Sequence, residues 1–191
     1  MTKKVEKEIV EILKKGGVGI LPTDTIYGLV GLALSKKAVR RIYELRRRNS
    51  KKPMIILIGA LADLKLFDIK IDSRLKKQLL KFWPGKVSII LPCRSKKFAY
   101  LHRGTKTLAF RWPNKKYLVD LLKKVGPLVA PSVNPEGMPP AQTIRQAKKY
   151  FGKRVDFYLD AGKLFQRPST LIKIKNNQII VLRKGAVKIE R

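Results

Sequence analysis

The chain has 191 residues, 45% of them hydrophobic, which fits one domain that buries roughly 70% of its unfolded surface and needs no metal or disulfide to fold. Cys93 is the single cysteine and His102 the single histidine, so an internal disulfide and a His/Cys zinc site are both excluded. The 44 Lys plus Arg against 13 Asp plus Glu leave a net charge of +31, a field that draws polyanions such as nucleotides, RNA or anionic membrane and that a lysine-rich proteome would equally produce.

Val5, Ile9, Ile12 and Leu13 recur at helical spacing, so the first fifteen residues read as an amphipathic helix docked on the core and stopped at Gly16-Gly17. The same segment intersperses Lys with Glu and has no apolar signal region, which predicts a cytoplasmic chain. Residues 18–21 form a short apolar strand ended by Pro22. A helix over residues 36–47 turns Val39, Ile42 and Leu45 inward, and residues 54–58 form a buried strand. The longest unbroken apolar stretch, residues 54–62, is too short to cross a bilayer, and no membrane contact is expected.

Leu75, Leu79 and Phe82 mark a further helix, closed by Trp83-Pro84-Gly85. Strands follow at 87–91 and 107–111, a helix at 115–124 and a short strand at 128–130. A Pro-rich segment, 131–140, leads to a helix near 143–150 and strands at about 155–159, 170–174 and 179–182. Strands and helices alternate, but the late strands crowd together, so the fold class is α/β with a mixed twisted sheet in a single domain spanning residues 1–191.

Neither a Walker A loop nor a GxGxxG after the first strand is present. His102 sits in a Lys/Arg-rich loop without a nucleophile motif, which speaks against a Ser-His-Asp or Cys-His centre. Four segments combine strand ends, turn residues and polar groups. Pro22 to Leu29 (PTDTIYGL) places hydroxyls and a carboxylate just after a strand, where α/β sheets bind ligands; an Asx-turn by Asp24 with capping hydroxyls explains it equally. Residues 46–52 hold five positive charges, more than capping a helix C-terminus needs and enough to neutralise a triphosphate. Ser132 and Asn134 in a Pro-rich loop would project to one side if the backbone is extended. Ser169 enters one strand and Arg183 closes the next.

Taken in order, PTDTIYGL, RRRNSKKPM, FWPGKVSIILP, LAFRWP, APSVNPEGMPPA and RPSTLIKI with VLRKGA resemble the YrdC-like threonylcarbamoyl-AMP synthase family over nearly the whole chain. The resemblance implies a twisted open α/β sheet with flanking helices around a basic concave cavity. It also implies synthesis of threonylcarbamoyl-AMP and pyrophosphate from L-threonine, bicarbonate and ATP, with Mg²⁺ on the ATP phosphates and no metal caged by the protein. Downstream proteins that transfer threonylcarbamoyl to tRNA are implied as partners, with tRNA itself as a further candidate.

In that family a Lys-x-Arg pair, a Ser-x-Asn pair and a late Ser and Arg handle the nucleotide. These fall on Arg46 and Arg48, to which the resemblance also gives the catalytic role, on Ser132 and Asn134, and on Ser169 and Arg183. Thr25, Tyr27 and Arg111 fall on the threonine side. Three positions depart from the family pattern: Arg46 stands for Lys, Lys86 for the second proline of WPGP, and Glu136 for a small polar residue. The competing readings are an RNA-binding module on the same fold and a relative that handles a different acyl- or carbamoyl-adenylate.

Overall fold

A computed structural model describes residues 2–47, 49, 52–175 and 178–189. The first helix, α1 (Lys3–Lys14), is capped by the Thr2 hydroxyl and buries Ile9 and Leu13; it ends where Gly16 takes a φ of 82°. A hairpin follows, β1 (Val18–Pro22) and β2 (Tyr27–Leu32), and then α2 (Lys36–Arg46), capped by Ser35. The middle of the chain supplies β3 (Ile55–Leu57), α3 (Ser73–Leu80), β4 (Val87–Pro92), the four-residue α4 (Ala99–His102) and β5 (Thr107–Arg111). Then come α5 (Lys116–Val125), β6 (Leu128–Val129), α6 (Ile144–Phe151), β7 (Phe157–Tyr158), β8 (Thr170–Lys175) and β9 (Gln178–Arg183).

Among the described residues the strands form one mixed sheet in the order β7-β1-β2-β6-β3-β5-β4-β8-β9. Three of its pairings are parallel, β1 with β7, β3 with β5 and β4 with β8. The expected helices and strands are all present. The strand that sequence pattern missed is β2, within the segment read as a ligand loop: residues 22–29 are instead the turn and returning limb of a hairpin. A 3-10 turn at Leu61–Phe67 and α4 were also not foreseen.

The two sheet faces are covered unequally, and this positions the site. One face packs against α2, α3 and α6 along most of its width, from Ile20 and Leu29 through Ile56, Phe110 and Ile89 to Ile172. On the other face α1 and α5 bury Leu21, Val30, Leu128 and Leu57, which belong to β1, β2, β6 and β3 only. Beyond β3 this face turns open. The register continues the row from Leu57 to Arg111 of β5, and Ser88 of β4 pairs with Leu171 of β8, itself opposite Arg183 of β9. Because side chains alternate along a strand, the same face carries Thr107, Ala109 and Arg111. Half a sheet face without a covering helix is a cleft floor.

Asp156 ties the opposite edge together. Its carboxylate accepts the Val18 N–H at 2.7 Å and a bidentate pair from Arg41 at 2.6 and 2.9 Å, joining β1, α2 and the approach to β7. Burial alone would raise its pKa, but the Arg41 and Val18 bonds outweigh that and hold it below its ordinary value. A depressed carboxylate contributes stability above its ordinary value of about 4 and loses it as pH falls through the lower folded value. Asp156→Asn is therefore expected to cost under about 1 kcal/mol at neutral pH, since the pair is a third exposed. The gap between variant and parent in urea midpoint should close as pH falls from about 4; a gap that persists unchanged at pH 2 would show that the carboxylate's charge is not what matters.

Candidate functional site

The open half-face is the floor of a cleft of about 450 Å³, a volume typical of small-ligand sites. Its lining comes from the β1–β2 turn, the end of α2, β3, β5, the loop after β6, and the β8–β9 pair. Thr25, Tyr27, Arg46, Arg111, Ser132, Ser169 and Arg183 all contribute to that lining, so the structure gathers seven of the nine sequence-derived site residues around one space. Arg48 lies outside the described residues. Asn134 stands behind the wall.

The loop after β6 is held from within. Leu29 N–H donates to Pro131 O, and Gly28 bridges to Ser132, which fastens the loop to β2. Arg46, 3% exposed, then grips it: Nε donates to Asn134 O at 2.9 Å, and Nη2 reaches Ser132 Oγ at 3.3 Å and Asn134 Oδ1 at 3.2 Å. Asn134 donates from Nδ2 to Pro135 O and Met138 O, at 3.0 and 2.6 Å. The condition for Ser132 and Asn134 to project to one side, an extended backbone, is not met, because Asn134 N–H closes a turn onto Ser132 O at 3.1 Å. Both side-chain ends of Asn134 are thus engaged in folding the loop, and Ser132 alone of the pair faces the cleft.

Glu136, one of the three departures from the family pattern, latches the same loop to the end of α2. Its N–H donates to Arg46 O at 2.8 Å, and its carboxylate accepts from Lys52 Nζ at 2.7 Å and from the Asn49 N–H. Lys86, another departure, donates to Gln166 at the surface, and it is not part of the cleft lining.

On the opposite wall Ser169 is 1% exposed and shares a 2.8 Å hydrogen bond with Ser88 Oγ. Arg183 Nη2 donates to Ser169 O at 2.8 Å and to its Oγ at 3.2 Å. Ser88 escaped the sequence reading; its one signal was a lone hydroxyl inside the apolar run of β4.

The third wall is the β1–β2 turn. Thr23 Oγ1 donates to Ile26 O at 2.7 Å and lies 3.1 Å from Thr25 Oγ1. Arg111 Nη2 sits 3.1 Å from Asp24 Oδ1 in a buried ion pair, off hydrogen-bond alignment, and donates to Thr23 Oγ1 at 3.4 Å. Burial pulls the Arg111 pKa down, Asp24 raises it and Arg183 lowers it further. Tyr27 is fully buried; its hydroxyl donates toward Gly162 O at 2.7 Å and accepts the Ala161 N–H at 2.9 Å. Burial raises its pKa against that amide, with Asp160 adding to the rise. Tyr27 therefore anchors the 160–162 loop as well as lining the cleft.

Tyr117 of α5, another residue the sequence reading passed over, places a buried hydroxyl near Asp24 with no hydrogen-bond partner among the described residues. Burial, then Asp24 and Tyr27, keep it protonated. The cleft thus combines guanidinium groups, hydroxyls and an apolar patch of Ile55, Ile90, Ala109 and Leu171. Among the described residues none of its lining is a carboxylate. Such a surface suits an anionic ligand with an apolar portion.

The Sua5/YciO/YrdC family profile, described as telomere recombination, matches residues 11–185. The threonylcarbamoyl-AMP synthase of Hahella chejuensis is 33% identical over 86% of this chain and 91% of its own length. Among solved structures, Pyrococcus abyssi Sua5 complexed with L-threonine superposes with a TM-score of 0.87 at 26% identity. The chain spans about half of that protein: the match covers 97% of this chain and 55% of Sua5. E. coli YciO matches with a TM-score of 0.85 and 26% identity over 98% of this chain and 92% of its own.

The buried pair makes a sharp prediction. Asp24→Asn leaves Arg111 charged and uncompensated, at an expected cost of about 3–5 kcal/mol in urea unfolding. A loss below about 1 kcal/mol would mean that Arg111 finds its compensation elsewhere.

Proposed function

The chain belongs to the Sua5/YciO/YrdC family, and from that premise we propose that it is a threonylcarbamoyl-AMP synthase, converting L-threonine, bicarbonate and ATP to threonylcarbamoyl-AMP and pyrophosphate. The observation that carries this reading is the convergence on one cleft of the Arg46-gripped Ser132 loop, the Ser169–Arg183 pair and the β1–β2 turn held by Arg111 of β5.

In this mechanism the threonine amine takes up CO2 from bicarbonate to give a carbamate. A carbamate oxygen attacks the α-phosphorus of ATP, and pyrophosphate leaves. Negative charge on the phosphate oxygens grows and moves through the step, so positioning and fixed positive charge do most of the catalysis. Ser132, Ser169 and Arg183 are assigned to the nucleotide, and Thr25 and Arg111 to the threonine. Arg46 and Asn134 hold Ser132 in place, while Tyr27 orders the neighbouring loop. Arg48 is assigned to the phosphates on the strength of its motif.

Mg²⁺ enters with the ATP phosphates, where it supplies charge neutralisation. Among the described residues no group of three His, Cys, Asp or Glu is placed to hold a metal, and the Asp24 carboxylate, in the turn that lines the cleft, is paired with Arg111. In this reading the substrate carries the cation, since few acidic residues are available to cage one. The product is the activated intermediate for threonylcarbamoyl transfer to tRNA, so partner proteins of that transfer, in a cytoplasmic setting, belong to the same proposal. Among the described residues no helix is long and apolar enough to cross a membrane. Hydroxyls buried at strand ends are of little use to a bare RNA-binding surface, and the RNA-module alternative is not favoured.

Pyrophosphate release from Mg·ATP should require both threonine and bicarbonate, with serine a poor substitute. Arg183→Ala and Ser132→Ala should each lower kcat/KM for ATP by roughly a hundredfold, the loss of about 3 kcal/mol of transition-state binding. ATP binding without release would point to a relative that handles a different adenylate; absence of both would revive the RNA-binding reading.

A further inference from the structure

A second pocket, of about 400 Å³, lies in the connection between β4 and β5 and is lined by Arg94, Lys96, Ala99, His102 and Lys106. Among the described residues it shares no lining with the cleft. No Asp or Glu occurs between Asp72 and Asp120, so the whole stretch that builds it is cationic or neutral. None of the ion pairs among the described residues engages Arg94, Lys96 or Lys106.

His102 supplies the independent sign of a ligand. It is 6% exposed, and its Nδ1 accepts the Gly104 N–H at 3.2 Å. A neutral imidazole that accepts at Nδ1 carries its proton on Nε2. That Nε2–H is buried and has no partner among the described residues. A buried donor without an acceptor is costly, and three exposed cations around it select an acceptor that is also an anion.

We propose that this pocket binds a phosphate group, gripped by Arg94, Lys96 and Lys106 with one oxygen accepting from His102 Nε2–H. Three cations and a neutral donor match the charge and oxygen count of a phosphate better than those of a single carboxylate. Since Nε2 has almost no solvent-exposed surface, binding requires the atoms that cover it to shift. The site is independent of the synthase reading, and the group it takes is either free phosphate or the backbone phosphate of a nucleic acid.

His102 is the only histidine, so its imidazole NMR signals report on this pocket in the full-length protein without ambiguity. Inorganic phosphate, titrated at constant ionic strength, should move them saturably. The Arg94→Gln/Lys106→Gln double variant, altered at exposed positions and judged folded by its amide spectrum, should weaken that response at least tenfold. An equal response to chloride, or an unchanged response in the double variant, would overturn the proposal. A short single-stranded oligouridylate forms the second arm. If it moves the same signals at lower concentration and in a salt-dependent way, the ligand is a backbone phosphodiester. If inorganic phosphate alone moves them, the ligand is a free phosphate or monoester, and movement by neither rules the site out.

Discussion

Arg111 and Asp24 meet at the point where β5 runs into the β1–β2 turn, with side chains only 5% and 3% exposed, and the cleft is organised around that pair. A guanidinium cannot be buried without compensation, and few carboxylates are available in a chain with 13 acidic residues against 44 basic ones. Fixing Asp24 fixes the turn that carries Thr23 and Thr25. Fixing Arg111 in turn fixes the end of β5, whose carbonyl accepts from Ile58 N–H at 3.0 Å. One interaction thereby couples the half of the sheet covered by α1 and α5 to the half left open. The remaining cations can then face the cleft, because the buried Arg111 is already compensated.

Arg46 shows how the geometry of a cation matters as much as its charge. Its planar fork spans two residues of one loop, reaching a backbone carbonyl through Nε and two side-chain oxygens through Nη2. A lysine ammonium at the same position is a single point of donation and cannot reproduce that spread. The arginine at this position therefore fixes Ser132 and Asn134 in the loop, and the Glu136 latch on Lys52 and Asn49 adds a second tie between the same two segments. These two departures from the family pattern, 90 residues apart in sequence, meet in one loop junction.

Elements with strong periodicity were legible from sequence because their cores are local: Ile9 and Leu13 of α1, or Val39 and Ile42 of α2, fall on one helical face without reference to anything else. The strand β2 was not. It contains Gly28 and Gly31, which lower strand propensity, and Gly31 is required by packing from elsewhere: a β-carbon there would lie 3.1–3.2 Å from Val18, Ala38 and Ile42. The four-residue helix α4 is too short to leave a periodic trace. In the site, residue identities were legible through the ordered motifs, whereas side-chain roles were not. The bonds of Arg46 to Ser132 and Asn134 span 86 and 88 residues, and those of Tyr27 to the 160–162 loop span more than 130. Ser88, Asp24 and Tyr117 acquire their meaning only when the sheet register brings β4, the β1–β2 turn and α5 to the same space.

The net charge of +31 takes on two different roles once the structure is considered. As a long-range field it concentrates any polyanion near the surface and is screened within about 8 Å at physiological ionic strength, so it selects nothing by itself. Selection comes where cations are immobilised beside neutral donors that only one chemistry satisfies. Ser169 and Ser88 with Arg183, Ser132 with Arg46, and Thr23 with Arg111 are such places in the cleft. The acid-free stretch between Asp72 and Asp120 contributes β4 and β5 to that floor, so the local field there is unopposed by any residue of its own segment. In the proposed reading charge serves arrival, and the hydroxyls at the strand ends serve recognition. That division explains how a surface so generally basic still presents a cleft with a particular shape and donor pattern.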